Sequence, residues 1–320
     1  MIEPRKDAYG AEADTTHLAD YIELLALAGR PLRRANLSDF LADTGWPVRS
    51  RELYHAAGPG TVGAEPSEDE LESGPGVSPA DEAAERVFDL LADREAMLGE
   101  RYPFVNDGVQ LTPIDPLDNG HHLYLALLAI TVAHHYGVGT PSAPEDAFEA
   151  VVADAMAARG LMTVDMGRAG RMTTDFREAV RAAGEAIGVL PSPGAAPSKR
   201  HANEEGVDTV SHLSWGDTRP GHWLFIGQAT CAKSGEWPRK MSEPKPGQWS
   251  RLLGSVIRPL AYLAVPHHME THQMLHLSTG DERSVLDRIR LCLHLPSVGA
   301  DQHGILDAVL NEPVYHPSYS

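Results

Sequence analysis

Apolar residues at helical spacing run through HLADYIELLALA (17–28), and Gly29 with Pro31 closes the segment, which predicts a first helix. A short second helix, DFLADTG, is expected after Ser38 and before Trp46-Pro47. Residues 57–80 (AGPGTVGAEPSEDELESGPGVSPA) are rich in Gly, Pro, Ser and acids and read as an exposed loop or linker. Ser78 then stands as an N-cap, with Pro79 at the first helical position and Asp81 at the capping-box position. The helix they open puts Val87, Leu90, Leu91 and Leu98 on one face. An irregular stretch through YPFVNDG and LTPIDPLDNG leads to a helix at about 121–136. Its apolar run, Leu123 to Ala133, falls well short of the ~20 residues a bilayer span needs and reads as buried. PEDAFEAVVADAMAARG carries Phe148, Val151, Val152, Ala155 and Met156 at i, i+3, i+4, i+7 and i+8 and ends at Gly160, an amphipathic helix. A further helix is expected near 173–187, then a linker at 191–198.

Past that linker the period shortens. DTVSHLSW and HWLFIGQAT are β-branched and aromatic, separated by the turn residues GDTRPG, and read as a pair of strands. WSRLLGSVIRP reads as a helix, AYLAVP as a strand, and SVLDRIRLCLHL as a closing strand or helix. The order is that of an α/β protein. We expect a mainly helical acidic region over 1–140 and an α/β domain over 141–320, with no internal repeat.

Charge sharpens the division. The chain of 320 residues has a formal charge of −18. Residues 1–195 hold 32 acids and 15 bases, whereas residues 196–295 hold 10 acids, 12 bases and eight histidines. Polyanion binding favours basic surfaces, so any nucleic-acid contact is expected in the second region. Acidic surfaces otherwise need no partner, since they are commonly there for solubility. Two cysteines, Cys231 and Cys292, build no disulfide scaffold and suit a reducing cytoplasm. The N-terminal MIEPRKDAYG has no signal-peptide core, and no membrane contact is expected.

The candidate chemistry lies in His201 to Lys240. Asp208 opens the first strand and Gln228 ends the second, with Lys233 and Lys240 following. A carboxylate, a neutral oxygen on the neighbouring strand and a lysine are what Mg²⁺ or Mn²⁺ needs to be held against a phosphodiester. Asp208 would anchor the metal; Gln228, or the backbone oxygen of Ala229, would complete its shell. Glu149, on the preceding amphipathic helix, would add a second carboxylate. A lysine would orient the water or stabilise developing charge.

Phe148-Glu149 on a helix, then Gly206-Val207-Asp208, then a strand ending in Gln228 resemble the PD-(D/E)xK nuclease superfamily, in particular its Mrr-like restriction branch. The resemblance covers roughly 145–295 and implies a restriction-endonuclease-like core, a mixed sheet flanked by helices. It implies a metal-dependent DNA endonuclease with Mg²⁺ or Mn²⁺, in bacterial restriction or antiphage defence. DNA would be the partner. A homodimer would place two sites on a duplex, and a protein activator is a further candidate. The family's lysine lies two residues after the glutamine, where this chain has Thr230. Lys240, in Trp237-Pro-Arg-Lys, or Lys233 must then substitute. If neither does, the domain is a catalytically inactive interaction module with the same fold.

Each residue also has a plainer reading. Asp208 after a glycine is commonly a turn residue, and Gln228 can be a hydrogen-bonded core amide. Glu149 and both lysines can be solvated, and Trp237 reads as packing. His268, His272 and His276 recur every four residues, and on a helix they would line one face and suit zinc, the basis of an alternative zinc-hydrolase reading. His212 and His222 lie on the two strands and can face the site. Asp287 with Arg288 and Arg290 reads as a structural salt bridge, or as an arginine for phosphate.

Overall fold

The computed structural model describes residues 1–46, 78–167, 176–189, 206–217, 219, 221–281, 283–295 and 297–317. The linkers expected at 57–80 and 191–198 therefore lie, apart from 78–80, outside the described residues. The chain forms two compact units, one of 1–99, 104–115 and 313–320, the other of 100–103 and 116–312. This differs from the division expected at 140/141. The apolar helix at 119–136 belongs to the second unit, and the C-terminal residues return to the first.

The first unit holds α1 (Asp14–Leu27), α2 (Arg34–Thr44), α3 (Pro79–Leu98) and a small hairpin of β1 (Phe104–Asn106) and β2 (Leu111–Pro113). Ser78 caps α3 as its sequence predicts, its hydroxyl accepting from the Asp81 N–H at 3.1 Å. Ser38 does not precede α2 as expected. It lies inside that helix, buried, and donates its hydroxyl to Asp81 Oδ1 at 2.5 Å. Leu18, Ile22 and Leu25 of α1, Leu37 and Leu41 of α2, and Val87 and Leu91 of α3 are buried apolar residues of this unit. Arg94 lies among them, paired with Asp20 at 2.9 Å and Glu23 at 2.8 Å. The chain end closes this unit, with Ile2 bridging Val314.

The second unit begins with α4 (Asn119–Tyr136), buried from Leu123 through Ala133, as a helix apolar all round must be. No helix among the described residues is long and apolar enough to cross a membrane. Next come α5 (Pro144–Ala158), β3 (Met162–Asp165), α6 (Phe176–Ala186), β4 (Thr209–Leu213) and β5 (Trp223–Ala229). After β5 follow α7 (Trp237–Ser242), α8 (Pro246–Leu252), β6 (Leu260–Ala264), α9 (Thr271–Asp281), β7 (Ser284–Leu286), α10 (Arg288–Cys292) and α11 (Ala300–Leu310). The segment expected as a strand or a helix at 284–295 is both in turn.

The five strands make one mixed sheet in sequence order, β3-β4-β5-β6-β7. The first three pair antiparallel and the last two join in parallel. Helices flank it, which makes this an α/β fold. Val210, Leu224, Ile226 and Ala261 of the sheet pack with Phe176, Val180 and Ala183 of α6 and with Trp249 and Leu252 of α8. At β5 the sheet is tightened by a glycine. A Cβ on Gly227 would lie 2.1 Å from the Tyr262 ring, so the bare position lets that ring lie across β5 with its hydroxyl on Thr209. Burial pushes the Tyr262 hydroxyl pKa up.

Candidate functional site

The register of the hairpin builds the site. Thr209 pairs with Gly227, so the next pair outward is Asp208 with Gln228, and the Asp208 N–H donates to the Gly227 carbonyl at 2.8 Å. The two residues meet side chain to side chain. Asp208 Oδ2 accepts from Gln228 Nε2 at 2.6 Å and from the Ala229 N–H at 2.7 Å. Both residues are buried, at 5% and 6% exposure. Gln228 Nε2 also donates to the Ala229 carbonyl at 3.2 Å. Its Oε1 is buried with no hydrogen-bond partner among the described residues. A buried amide oxygen without a partner is uncommon, because leaving it so costs about 1–3 kcal/mol.

Gly206 brings this strand end against α7. It has φ +68°, and a Cβ there would lie 2.6 Å from the Glu243 Cβ, so both conformation and space call for glycine. A cleft of about 800 Å³ opens at this place. Asp208, Gln228 and Thr230 come to it from the hairpin, Glu145 and Glu149 from α5, and Arg239, Lys240 and Glu243 from α7 and its end. Lys245 and His134 also line it. With histidine neutral, its charged side chains are four carboxylates and three cations.

Of the sequence candidates, Asp208, Gln228, Glu149 and Lys240 thus share one cleft. Lys240 Nζ lies 3.1 Å from Glu243 Oε2, and Arg239 donates to both Glu236 and Glu243. Lys233 is exposed and is not among the lining residues. Thr230, two residues after Gln228, is buried, and its hydroxyl accepts from the Ala232 N–H at 3.2 Å. Cys231 is buried against α5, and its thiol is pushed well above its usual value, first by burial and then by the carboxylates of Glu145 and Glu149. Cys231 and both glutamates line the same cleft.

The remaining candidates resolve differently. His268 precedes α9 and is buried, whereas His272 and His276 lie one turn apart on that helix, so the three do not share a helix face. Among the described residues no three His, Cys, Asp or Glu side chains are grouped to hold a metal. His212 pairs with His222 at 3.0 Å and with the Ile187 carbonyl at 2.8 Å, and neither histidine lines the cleft. Trp237 is core, its indole N–H donating to Ala232 O at 2.9 Å. Asp287 is a helix cap rather than a salt-bridge partner, accepting from the Arg290 N–H at 3.0 Å. Arg288 is fully buried, donating to the Pro266 carbonyl at 2.9 Å and the Thr131 hydroxyl at 3.2 Å, so it is structural.

Two groups escape the sequence reading. Asp165, on β3 beside Thr209, approaches Glu149 across Gly167, where a Cβ would lie 2.3 Å from Glu149 Oε2 and 3.4 Å from Asp165 Oδ1. His134 in the last turn of α4 meets Glu145 in the first turn of α5, Nδ1 to Oε1 at 2.5 Å. The second pair has no sequence signal, since its members lie on two helices separated by residues 137–143. No family model matches the chain, and neither does any curated protein or solved structure.

Proposed function

We propose that the second unit is a metal-dependent nuclease of the restriction-endonuclease-like kind, hydrolysing phosphodiesters of DNA in this cleft. The observation that carries the reading is the Asp208–Gln228 pair with its partnerless Oε1. A glutamine whose amide nitrogen is held by a carboxylate has its oxygen fixed as a neutral ligand, beside an anchoring acid. Two N–H donors fix the orientation of Asp208. Glu149 lines the same cleft from α5. These three suit Mg²⁺ or Mn²⁺, which binds through one or two carboxylates and neutral oxygens and keeps several waters. Such an ion supplies charge neutralisation at the phosphate and a bound water of lowered pKa.

Charge supports the same reading. Four carboxylates against three cations would repel a phosphate backbone unless a divalent cation joined them. Lys240 stands at the cleft wall, where Glu243 steadies its ammonium, and it contacts the phosphate or the attacking water. A mixed sheet flanked by helices, with the acid and the glutamine on neighbouring strands, is what the resemblance implies of the fold. The setting in bacterial restriction or antiphage defence rests on that resemblance alone.

The test is cleavage of supercoiled plasmid by the purified chain with Mg²⁺ or Mn²⁺, beside Asp208→Ala. Nicking by the wild type and none by the variant is the expected result. Equal nicking by both overturns the assignment. Thr230 favours a second reading, because it is tucked under its own loop and leaves no cation at the family's lysine position. A domain of that kind would be an inactive interaction module, and calorimetry would find Mg²⁺ and Mn²⁺ binding weakly or not at all.

A further inference from the structure

His134 and Glu145 form a pair that the metal site does not use. His134 is 30% exposed and Glu145 50%, both in the cleft that holds Asp208 and Gln228. Glu145 takes the Nδ1 side of the ring at 2.5 Å, which fixes the ring, and Nε2 has no hydrogen-bond partner of its own among the described residues. The ring is supported from behind by His135, edge to face at 4.9 Å, and His135 in turn is bonded to His267 at 2.9 Å. Glu145 stands four residues before Glu149 on α5, about 6 Å along the axis on the same face. Both glutamates act on the Cys231 thiol, three residues beyond Gln228. The pair is therefore one helical turn from the carboxylate expected at the metal.

A carboxylate on one ring nitrogen with the other nitrogen open to a cleft is the arrangement by which a histidine moves a proton at a reacting atom. We infer that His134 is the general acid of the hydrolysis, giving its Nε2 proton to the leaving oxygen, and that Glu145 is its positioning residue. The inference rests on the nuclease reading of the cleft. In the step, the water oxygen forms the new bond to phosphorus and its released proton passes to solvent. The bond from phosphorus to the leaving oxygen breaks with its electron pair on that oxygen. That pair takes the proton of the imidazolium, which is left neutral and is reprotonated from solvent. The charged and titratable groups around the ring are Glu145, His135 and His267, with Asp208, Glu149, Cys231, Arg239, Lys240, Glu243 and Lys245 elsewhere in the cleft.

A leaving-group substitution tests this. The whole chain, with Mn²⁺, is given an oligonucleotide duplex with one ordinary phosphodiester at the cut site, or the same duplex with sulfur as the bridging leaving atom. A thiolate leaves without a proton, so it needs no general acid. We expect His134→Gln to slow single-turnover cleavage of the oxygen ester by ~10²–10⁴-fold, the usual worth of a positioned acid. Cleavage of the sulfur ester should stay near the wild-type rate. Glu145→Gln should slow the oxygen ester less and likewise spare the sulfur ester, whereas a merely structural role would slow both alike. Both variants change partly exposed side chains, and unchanged thermal unfolding verifies their fold. Equal slowing of both esters, or of neither, overturns the general acid and leaves the nuclease reading standing. A wild type that cleaves neither ester overturns that reading, and the inference with it.

Discussion

Each unit buries carboxylates, and they are used in opposite ways. In the first unit Asp20 and Glu23 sit on one face of α1 and are answered by Arg94 of α3, all within 0–1% exposure. In the second, Asp208 is answered by two neutral N–H donors, and the amide beside it keeps an oxygen without a partner among the described residues. The first arrangement sets an arginine against its two acids in a sealed interior. The second opens on a cleft of about 800 Å³ and leaves hydrogen-bonding capacity unspent. A buried charge sealed against an opposite charge of its own chain is a part of the scaffold, whereas one that lines an open cleft beside an unsatisfied amide oxygen points to a missing ligand.

Breaking the closed arrangement should have the largest effect on stability. Arg94→Met removes the guanidinium between Asp20 and Glu23, and a buried pair that loses one partner typically costs about 3–5 kcal/mol. Urea unfolding measures it. Replacing all three charged residues with apolar ones of similar volume should recover most of the loss, since the penalty belongs to the stranded charge. A small effect of Arg94→Met would mean that water already reaches these acids.

His17, three residues before Asp20, sharpens the same region by pH. Its pKa is pushed down from 6.5 to about 4, mainly by burial, with Asp20 pulling less strongly the other way. The folded state therefore holds His17 neutral where the unfolded chain would protonate it. Stability is full above pH 6.5 and falls as the pH drops towards 4, by about 3 kcal/mol from this group. Hydrogen exchange of the α1 amides between those pH values should show the loss, and His17→Gln should flatten it. An unchanged pH slope in that variant would assign the acid sensitivity elsewhere.

A smaller effect is expected where the sheet is tightest. Gly227→Ala puts a methyl 2.1 Å from the Tyr262 ring, which must swing and release the Thr209 hydroxyl. Overpacking of this kind costs about 1–3 kcal/mol. The variant should lower the unfolding midpoint without abolishing the fold, and Tyr262→Phe alone should cost less.

What the sequence made legible follows from how local each signal is. Ser78, Pro79 and Asp81 cap α3 with groups three residues apart, and the spacing of Phe148 through Met156 writes the buried face of α5, so both helices stand where expected. The hairpin was legible too, because β-branched and aromatic runs flank a turn-rich loop. The Asp208–Gln228 contact followed from it, since antiparallel register sets which residues oppose. Less was visible where the third dimension decides. β3 has four residues, of which only Val164 packs against the core as strand alternation would show it, and Asp165 went unnoticed with it. Lys233 and Lys240 are both near Gln228 in sequence, and only the turn of α7 brings the second to the cleft. His134 and Glu145 belong to different helices, and no periodicity links them.

The smallest expected effect on stability is at the site itself. Asp208→Asn removes a buried charge, which relieves its desolvation, and the oxygen of the new amide still accepts from the Ala229 N–H. The same oxygen also accepts from Gln228 Nε2, so Gln228 keeps its orientation. The hydrogen bond between the side chains is kept with its direction unchanged. The unfolding free energy should change by less than about 1 kcal/mol, or rise, in contrast with Arg94→Met. Calorimetry on the same variant should find Mn²⁺ binding lost. A residue that can be neutralised at no cost in stability, yet at the whole cost of metal binding, is held charged for its ligand. Should Asp208→Asn instead unfold the domain, the carboxylate is a strut of the hairpin, and the contrast between the two units dissolves.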